Sequence, residues 1–235
     1  MNQTKIEWCD KTLNPVVGCS YGCAYCYAKR INSRFHYVPD FSEPQFFPER
    51  LEQLKSKTPA KVFLTSMSDP ADWRKEWADA VIDAIKKNPQ HEYLLLSKRP
   101  ETYADIFPLW SHTGGELKNI WYGATVTSYR DLHRIAELPL YGKRFISFEP
   151  LQGSADPRLR PVKSAVPWID WAIIGAETGP GASTSRPRRE WVEEIVSYCD
   201  ATDVPVFMKD SLLQVIGAEG MRRDFPEQMR GRTKL

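Results

Sequence analysis

The chain predicts an α/β fold of alternating strands and helices, and three observations carry that reading. Short apolar runs recur at 61–66 (KVFLTS), 92–97 (EYLLLS), 119–124 (NIWYGA), 143–148 (KRFISF), 170–175 (DWAIIG) and 204–208 (VPVFM). Their starts are 24 to 34 residues apart, which suits strand–helix–strand units. Helix-period apolar stripes fill the intervals. Runs this continuously apolar are the pattern of parallel strands buried on both faces.

Taken in order, a first strand through 13–17 (LNPVV) leads directly into a cysteine-bearing loop. Residues 73–87 place Trp77, Ala80, Val81, Ala84 and Ile85 on one helical stripe, and 129–138 carries a weaker version. After Pro187, Trp191, Ile195, Val196 and Cys199 form another, which puts Cys199 in the core. Right-handed crossovers between such strands make either an open doubly wound sheet or a barrel. In barrels, ligand-binding groups gather on the loops after the strands' C-terminal ends. Those positions hold the cysteine loop, then Ser66, Ser68 and Asp69, then Lys98 and Arg99, Thr125, Glu149, Glu177 with Gly179, and Lys209 with Asp210.

At 235 residues and 42% hydrophobic content, the chain can bury one substantial core. A single domain over 1–235 is expected, with an insertion around 29–58 and a basic C-terminal segment 217–235. No apolar stretch approaches the roughly 20 residues that span a bilayer, so a soluble, cytoplasmic protein without a membrane partner is expected. Net charge is only +2, so any polyanion partner must be met by local clusters. Lys29, Arg30 and Arg34 form one, Arg186, Arg188 and Arg189 a second, and Arg222, Arg223, Arg230, Arg232 and Lys234 a third. Solvated surface charge is the plainer explanation of most of them.

Cys19, Cys23 and Cys26 stand at C-x3-C-x2-C spacing, with Tyr25 before the last. Three thiolates on one short loop can hold three corners of a four-iron four-sulfur cluster, and such clusters ordinarily take four cysteines, so one iron is left open. Structural zinc sites need four ligands, usually as two separated pairs, and only Cys9, Cys199 or His36 remain to supply a fourth. A disulfide framework fits worse, because the chain has five cysteines and its first residues lack the apolar stretch of a secretory signal.

The loop resembles the signature of the radical S-adenosylmethionine (SAM) superfamily. With NPVVGC at 14–19, SMSD at 66–69, LSKRP at 96–100, FEPL at 148–151, IGAETG at 174–179 and FMK at 207–209, the chain resembles a compact, phage-associated radical SAM family distantly similar to spore photoproduct lyase. The resemblance covers nearly the whole chain. Ser97 stands where that family commonly has Thr, and Ala176 and Thr178 where it often has Gly and Ser. These exchanges preserve size and polarity.

The resemblance implies a partial (β/α)6-type TIM barrel of the radical SAM kind, open on one side, with SAM across the strand ends. Cys19, Cys23 and Cys26 would ligate iron. Ser66, Ser68 and Asp69 would meet the SAM amino group, although Asp69-Pro70 also reads as a helix cap. Lys98 and Arg99 suit the methionyl carboxylate, as cations do. Thr125 is a further cofactor-binding candidate, and Gly175, in a glycine-bearing turn reaching Gly181, lets backbone approach a flat ligand such as adenine. Glu149 and Glu177 face the cavity, for ribose or substrate, or pair structurally with Lys209. Cys9 is a candidate hydrogen donor, as a cysteine is in the lyase relatives, or a small buried hydrophobe.

The function implied is that of a radical SAM enzyme with a 4Fe-4S cluster, drawing electrons from a flavodoxin or ferredoxin. Aromatics at Phe35, Tyr37, Phe41, Phe46 and Phe47, interleaved with Lys29, Arg30 and Arg34, suit a nucleobase beside a phosphate, or an ordinary cover over the barrel. Together with the family resemblance they point to DNA, and most specifically to isomerisation of a glycyl-modified thymidine during phage DNA hypermodification, in the host cytoplasm. A base in a duplex would have to be flipped out. The rivals are a repair lyase acting on a dimeric thymine lesion, and a noncatalytic metal-stabilised nucleic-acid-binding module.

Overall fold

Eight strands share one sheet, and each of the six apolar runs contributes one of them. The computed structural model describes residues 1–107, 117–159, 169–179 and 186–229. The strands are β1 (Asn2–Gln3), β2 (Lys11–Thr12), β3 (Val16–Val17), β4 (Gln45–Phe46), β5 (Lys61–Phe63), β6 (Glu92–Ser97), β7 (Ile120–Thr125), β8 (Lys143–Phe148), β9 (Trp171–Ile174) and β10 (Val206–Met208). The helices are α1 (Tyr27–Phe35), α2 (Lys75–Lys87), α3 (Tyr103–Ile106), α4 (His133–Glu137), α5 (Arg189–Ala201) and α6 (Leu213–Ile216).

The sheet runs β1-β2-β5-β6-β7-β8-β9-β10, parallel throughout except for the antiparallel β1–β2 pair. A doubly wound sheet reverses its strand order part-way; this one adds each parallel strand on the same side of the last. The crossover helices therefore pack on one face, as right-handed connections require.

The expected partial (β/α)6-type barrel is overturned. The sheet is mixed and eight-stranded, a curled half-barrel with α/β character whose first and last strands do not pair. The difference arises at the N-terminus, where residues 2–12 add two strands of two residues each, too short and too polar to leave an apolar signal. The expected strand at 13–17 is also displaced. Pro15 has no N–H for a ladder, and β3 leaves the main sheet to pair antiparallel with β4 in a separate ribbon. Phe47 N–H closes that ribbon by donating to the Pro15 carbonyl at 2.7 Å.

Alternation along each strand sends side chains to two faces. Outward, Val62, Tyr93, Leu95, Ile146, Ile174 and Val206 pack in the layer that holds Val81, Ile85, Val192 and Ile195 of α2 and α5. Inward, Phe63, Leu94, Trp121, Phe145, Trp171 and Phe207 meet Trp8 and Met229. Trp8 sits 4.8 Å from Phe63 and 6.3 Å from Trp171, centroid to centroid. This aromatic plug closes the concave face below the strand ends. It depends on Gly123, because a Cβ there would lie 2.3 Å from Phe145 Cζ, on a ring with no exposed surface to yield into.

Gly123→Ala should therefore lower the stability by about 1–3 kcal/mol, the usual cost of overpacking. Urea denaturation of the two proteins measures it, and coincident midpoints would show that the Phe145 ring moves freely.

Candidate active site at the strand ends

Above the plug lies a cavity of about 770 Å³, with Trp8 and Phe63 in its floor. That volume is in the range of small-molecule sites. The cysteine loop forms one wall, and the ends of β5, β6, β7 and β8 bring Ser66, Lys98, Thr125 and Glu149 to the same space.

The loop is held at many points. It leaves β3 through Gly18, at φ +117°, where a Cβ would lie 2.7 Å from Pro44 Cα. Gly18 N–H donates to the Met67 carbonyl at 2.9 Å, and Cys19 N–H to the Phe41 carbonyl at 2.6 Å. Ser20 gives Asp72 two hydrogen bonds, from its N–H at 2.8 Å and its hydroxyl at 2.7 Å. Arg99 pairs with the same carboxylate at 2.8 Å. Arg134, 8% exposed, donates to the Tyr21 hydroxyl and the Thr125 carbonyl, both at 2.8 Å, and pairs with Asp131 at 3.0 Å. Cys26 then caps α1, its Sγ accepting from Lys29 N–H at 3.3 Å.

Cys19, Cys23 and Cys26 are all free thiols, partly buried, lining the cavity. Burial pushes Cys19 up to about 12. Burial also raises Cys23, while Lys98 pulls the other way. Among the described residues, no three His, Cys, Asp or Glu side chains converge closely enough to hold a single metal ion. A four-iron cluster makes a different demand, since it spreads its ligands over separate corners. Three thiols along one cavity wall, with Cys26 at the positive end of a helix and Lys98 beside the loop near Tyr25 and Cys23, fit that donor set. Cys19 and Cys26 rest on an apolar layer of Val17, Ala28, Val38, Phe41 and Met67. Cys9 and Cys199 lie elsewhere.

The other sequence candidates separate into groups facing the cavity and groups that hold its walls. Ser66 Oγ donates to Asn14 Oδ1 at 2.9 Å, and Ser68 Oγ accepts from Trp73 Nε1 at 3.1 Å. Asp69 is buried with both oxygens engaged: Oδ1 accepts from Ser97 and Ala71 N–H, and Oδ2 from Lys98 N–H. It caps the turn Pro70–Asp72 and fixes the end of β6. Arg99 is committed to Asp72, whereas Lys98 reaches into the cavity with Nζ 5.5 Å from the Tyr25 ring. Lys98 and Arg99, adjacent in sequence, therefore do different work.

On the far rim, Glu149 and Lys209 form an ion pair. Gly175 makes room for it, because a Cβ there would sit 3.0 Å from Lys209 Cδ and 3.1 Å from Glu149 Cδ. Thr125 and Glu177 line the cavity, Glu177 accepting from Gln152 at 3.2 Å. Cys9 is only 7% exposed and packs in the aromatic plug, Sγ 3.9 Å from the Ile6 carbonyl, with its thiol raised by burial. It is not part of the cavity lining.

Three site residues were not visible in the sequence. Asp72 reads there as an ordinary first-turn acid, and Arg134 as a surface cation on a weak helix. Tyr27 follows the last cysteine without a distinguishing context; its ring faces the cavity, and its hydroxyl donates to the Ser66 carbonyl at 2.7 Å. Two C-terminal arginines are already neutralised: Arg222 pairs with Asp200 and Asp224, and Arg223 with Glu7 and Asp210. Arg230, Arg232, Lys234 and Gly181 lie outside the described residues.

Among protein families, the model described as "Protein of unknown function (DUF5131)" matches residues 3–218. No curated protein and no solved structure matches the chain.

Asp72 makes the loop's anchorage pH-dependent. Burial raises its carboxyl, but the bonds from Ser20 and Arg99 outweigh it and hold the group below its ordinary value. A depressed carboxyl stabilises the fold above its unfolded value of about 3.9, and that stability is lost as pH falls through the folded value. Asp72→Ala should lower stability by about 1–3 kcal/mol at neutral pH and by progressively less in acid. Urea titrations at pH 7 and pH 3 read the difference, and a pH-independent gap would refute the assignment.

Proposed function

The chain belongs to the DUF5131 family, and for it we propose a radical SAM enzyme that binds a 4Fe-4S cluster on Cys19, Cys23 and Cys26. One observation carries the reading: three free thiols at C-x3-C-x2-C spacing line a single cavity at the ends of parallel strands, with Lys98 beside their loop. When bound, cluster and SAM would supply reductive one-electron cleavage of the sulfonium and, through it, hydrogen abstraction from a substrate carbon.

The chain's own residues bind, orient and shield. The three thiols would have to ionise to hold iron, and burial, which raises Cys19 and Cys23, would make that ionisation harder without the metal. Lys98 offers the cavity a positive group for the methionyl carboxylate. Gly175 seats the Glu149–Lys209 pair rather than a ligand, and that pair presents both an acceptor and a donor to hydroxyl groups of ligand or substrate. The apolar layer behind Cys19 and Cys26, with the aromatic floor, excludes water from the wall where the reactive carbon must lie.

The substrate proposed is a modified thymine in DNA, isomerised during phage DNA hypermodification, with a flavodoxin or ferredoxin as electron source. α1 supports a polyanion partner, since it carries Lys29, Arg30 and Arg34 and no acidic residue. The search that tests this is anaerobic incubation with SAM, reductant and candidate DNAs, followed by mass spectrometry for DNA-dependent products.

Anaerobic reconstitution should give about four irons per chain. Replacing Cys19, Cys23 or Cys26 by Ala should abolish the brown chromophore, and Cys199→Ala should keep it. With reductant, SAM should yield 5'-deoxyadenosine, and Lys98→Ala should weaken SAM binding at unchanged iron content. Stoichiometric zinc without iron-dependent absorption would overturn the cluster; unchanged SAM affinity would overturn the role of Lys98.

A further inference from the structure

Two large aromatic rings stand exposed on a rigid mount at the mouth of the cavity. Phe35 is 55% and Tyr37 47% exposed, and their rings are stacked, with centroids 5.9 Å apart and planes at 27°. Arg34 places its guanidinium 5.2 Å from the Phe35 ring centroid. Tyr37 also lines the cavity, so the stack is continuous with it.

The mount is built from buried parts. His36 ends α1 in the left-handed region, at φ +52°, an uncommon conformation for a residue with a side chain. Its N–H donates to the Asn32 carbonyl at 2.7 Å. The buried Asn32 side chain then clamps both polar groups of Val38, donating to its carbonyl at 2.9 Å and accepting its N–H at 3.0 Å. Val38 itself is 1% exposed. A turn fixed on both sides thus presents Phe35 and Tyr37 together to solvent, where neither gains from burial.

Charge selects the occupant. Lys29, Arg30 and Arg34 lie on the same helix, which has no acid, and none has a carboxylate within 4.0 Å among the described residues. Arg30 reaches across the mouth to the Thr178 carbonyl at 3.4 Å, beside Gly179. Exposed rings interleaved with cations are the arrangement that binds single-stranded nucleic acid, stacking bases on rings while the cations track phosphates.

We propose that Phe35 and Tyr37, with Arg34, form a stacking platform for single-stranded DNA, holding a nucleotide next to the one that enters the cavity. This rests on DNA being the substrate. The rings are closer than the roughly 7 Å that a base sandwiched between two ring faces requires, so the base lies on the outer face of the stack. The C-terminal Arg222 and Arg223, already paired with acids, take no part.

Fluorescence anisotropy of the whole chain after anaerobic reconstitution with iron and sulfide tests this, with a labelled twelve-nucleotide thymidine oligomer and a duplex of equal length. The single strand should bind more tightly than the duplex. Phe35→Ala and Tyr37→Ala should each weaken it about 5- to 100-fold, and Phe35→Trp should retain it. Arg34→Gln should reduce the salt dependence by roughly one phosphate contact. Four results would overturn the platform: no binding, no preference for the single strand, equal affinity in the alanine variants, or loss of self-association instead of oligomer binding. Wild-type iron content and SAM cleavage separate the two ideas. Ring-dependent binding by a protein that neither takes up iron nor cleaves SAM would keep the platform and sink the radical reading, and the converse would do the opposite.

Discussion

The concave face of a curled sheet must be filled, and here it is filled at one end only. Trp8, Phe63, Trp121, Phe145, Trp171 and Phe207 occupy the lower half, drawn from an N-terminal segment and five different strands. Each buries a large apolar area, of the order of 150–250 Å² for such rings, so the plug stabilises the curl and sets a floor. Because the seven parallel strands all point the same way, every one of their C-terminal loops rises past that floor to one rim. The cavity and its polar lining are consequences of this arrangement.

Chemistry at the rim depends on a loop that cannot wander. The cysteine loop has no secondary structure of its own before α1, yet side chains from three other segments hold it: Asp72 before α2, Arg99 after β6 and Arg134 in α4. Two of these are cations beside the stretch that carries the three free thiols, and Lys98 is a third close by. Arg99 and Arg134 are each matched by a carboxylate, Asp72 and Asp131, so they act as anchors, while Lys98 supplies positive charge felt at Cys23. The α1 N-terminus at Cys26 adds to it.

Much of this was legible in the sequence because the relevant residues are constrained by two periods at once. The apolar runs at 92–97 and 143–148 coincide with β6 and β8, since strands covered on both faces leave no polar alternation to misread. The cysteine spacing located the wall of the cavity directly. By contrast, β1 and β2 are two residues each, and their pairing depends on backbone alone. The strand expected at 13–17 survives only as β3, and the ribbon with β4 that takes it out of the main sheet was not legible in the sequence. Asp69, Arg99, Arg222 and Arg223 illustrate the other limit: sequence shows that a residue carries charge, and only the fold shows which neighbour already uses it.

The central claim is that Cys19, Cys23 and Cys26 hold a cluster with one iron free to bind SAM. Electron paramagnetic resonance of the reduced, reconstituted protein, recorded with and without SAM, tests it most directly. A reduced-cluster spectrum that changes on addition of SAM and is missing from the Cys23→Ala variant is the predicted result. A protein without an iron–sulfur signal, or with one indifferent to SAM, would contradict it.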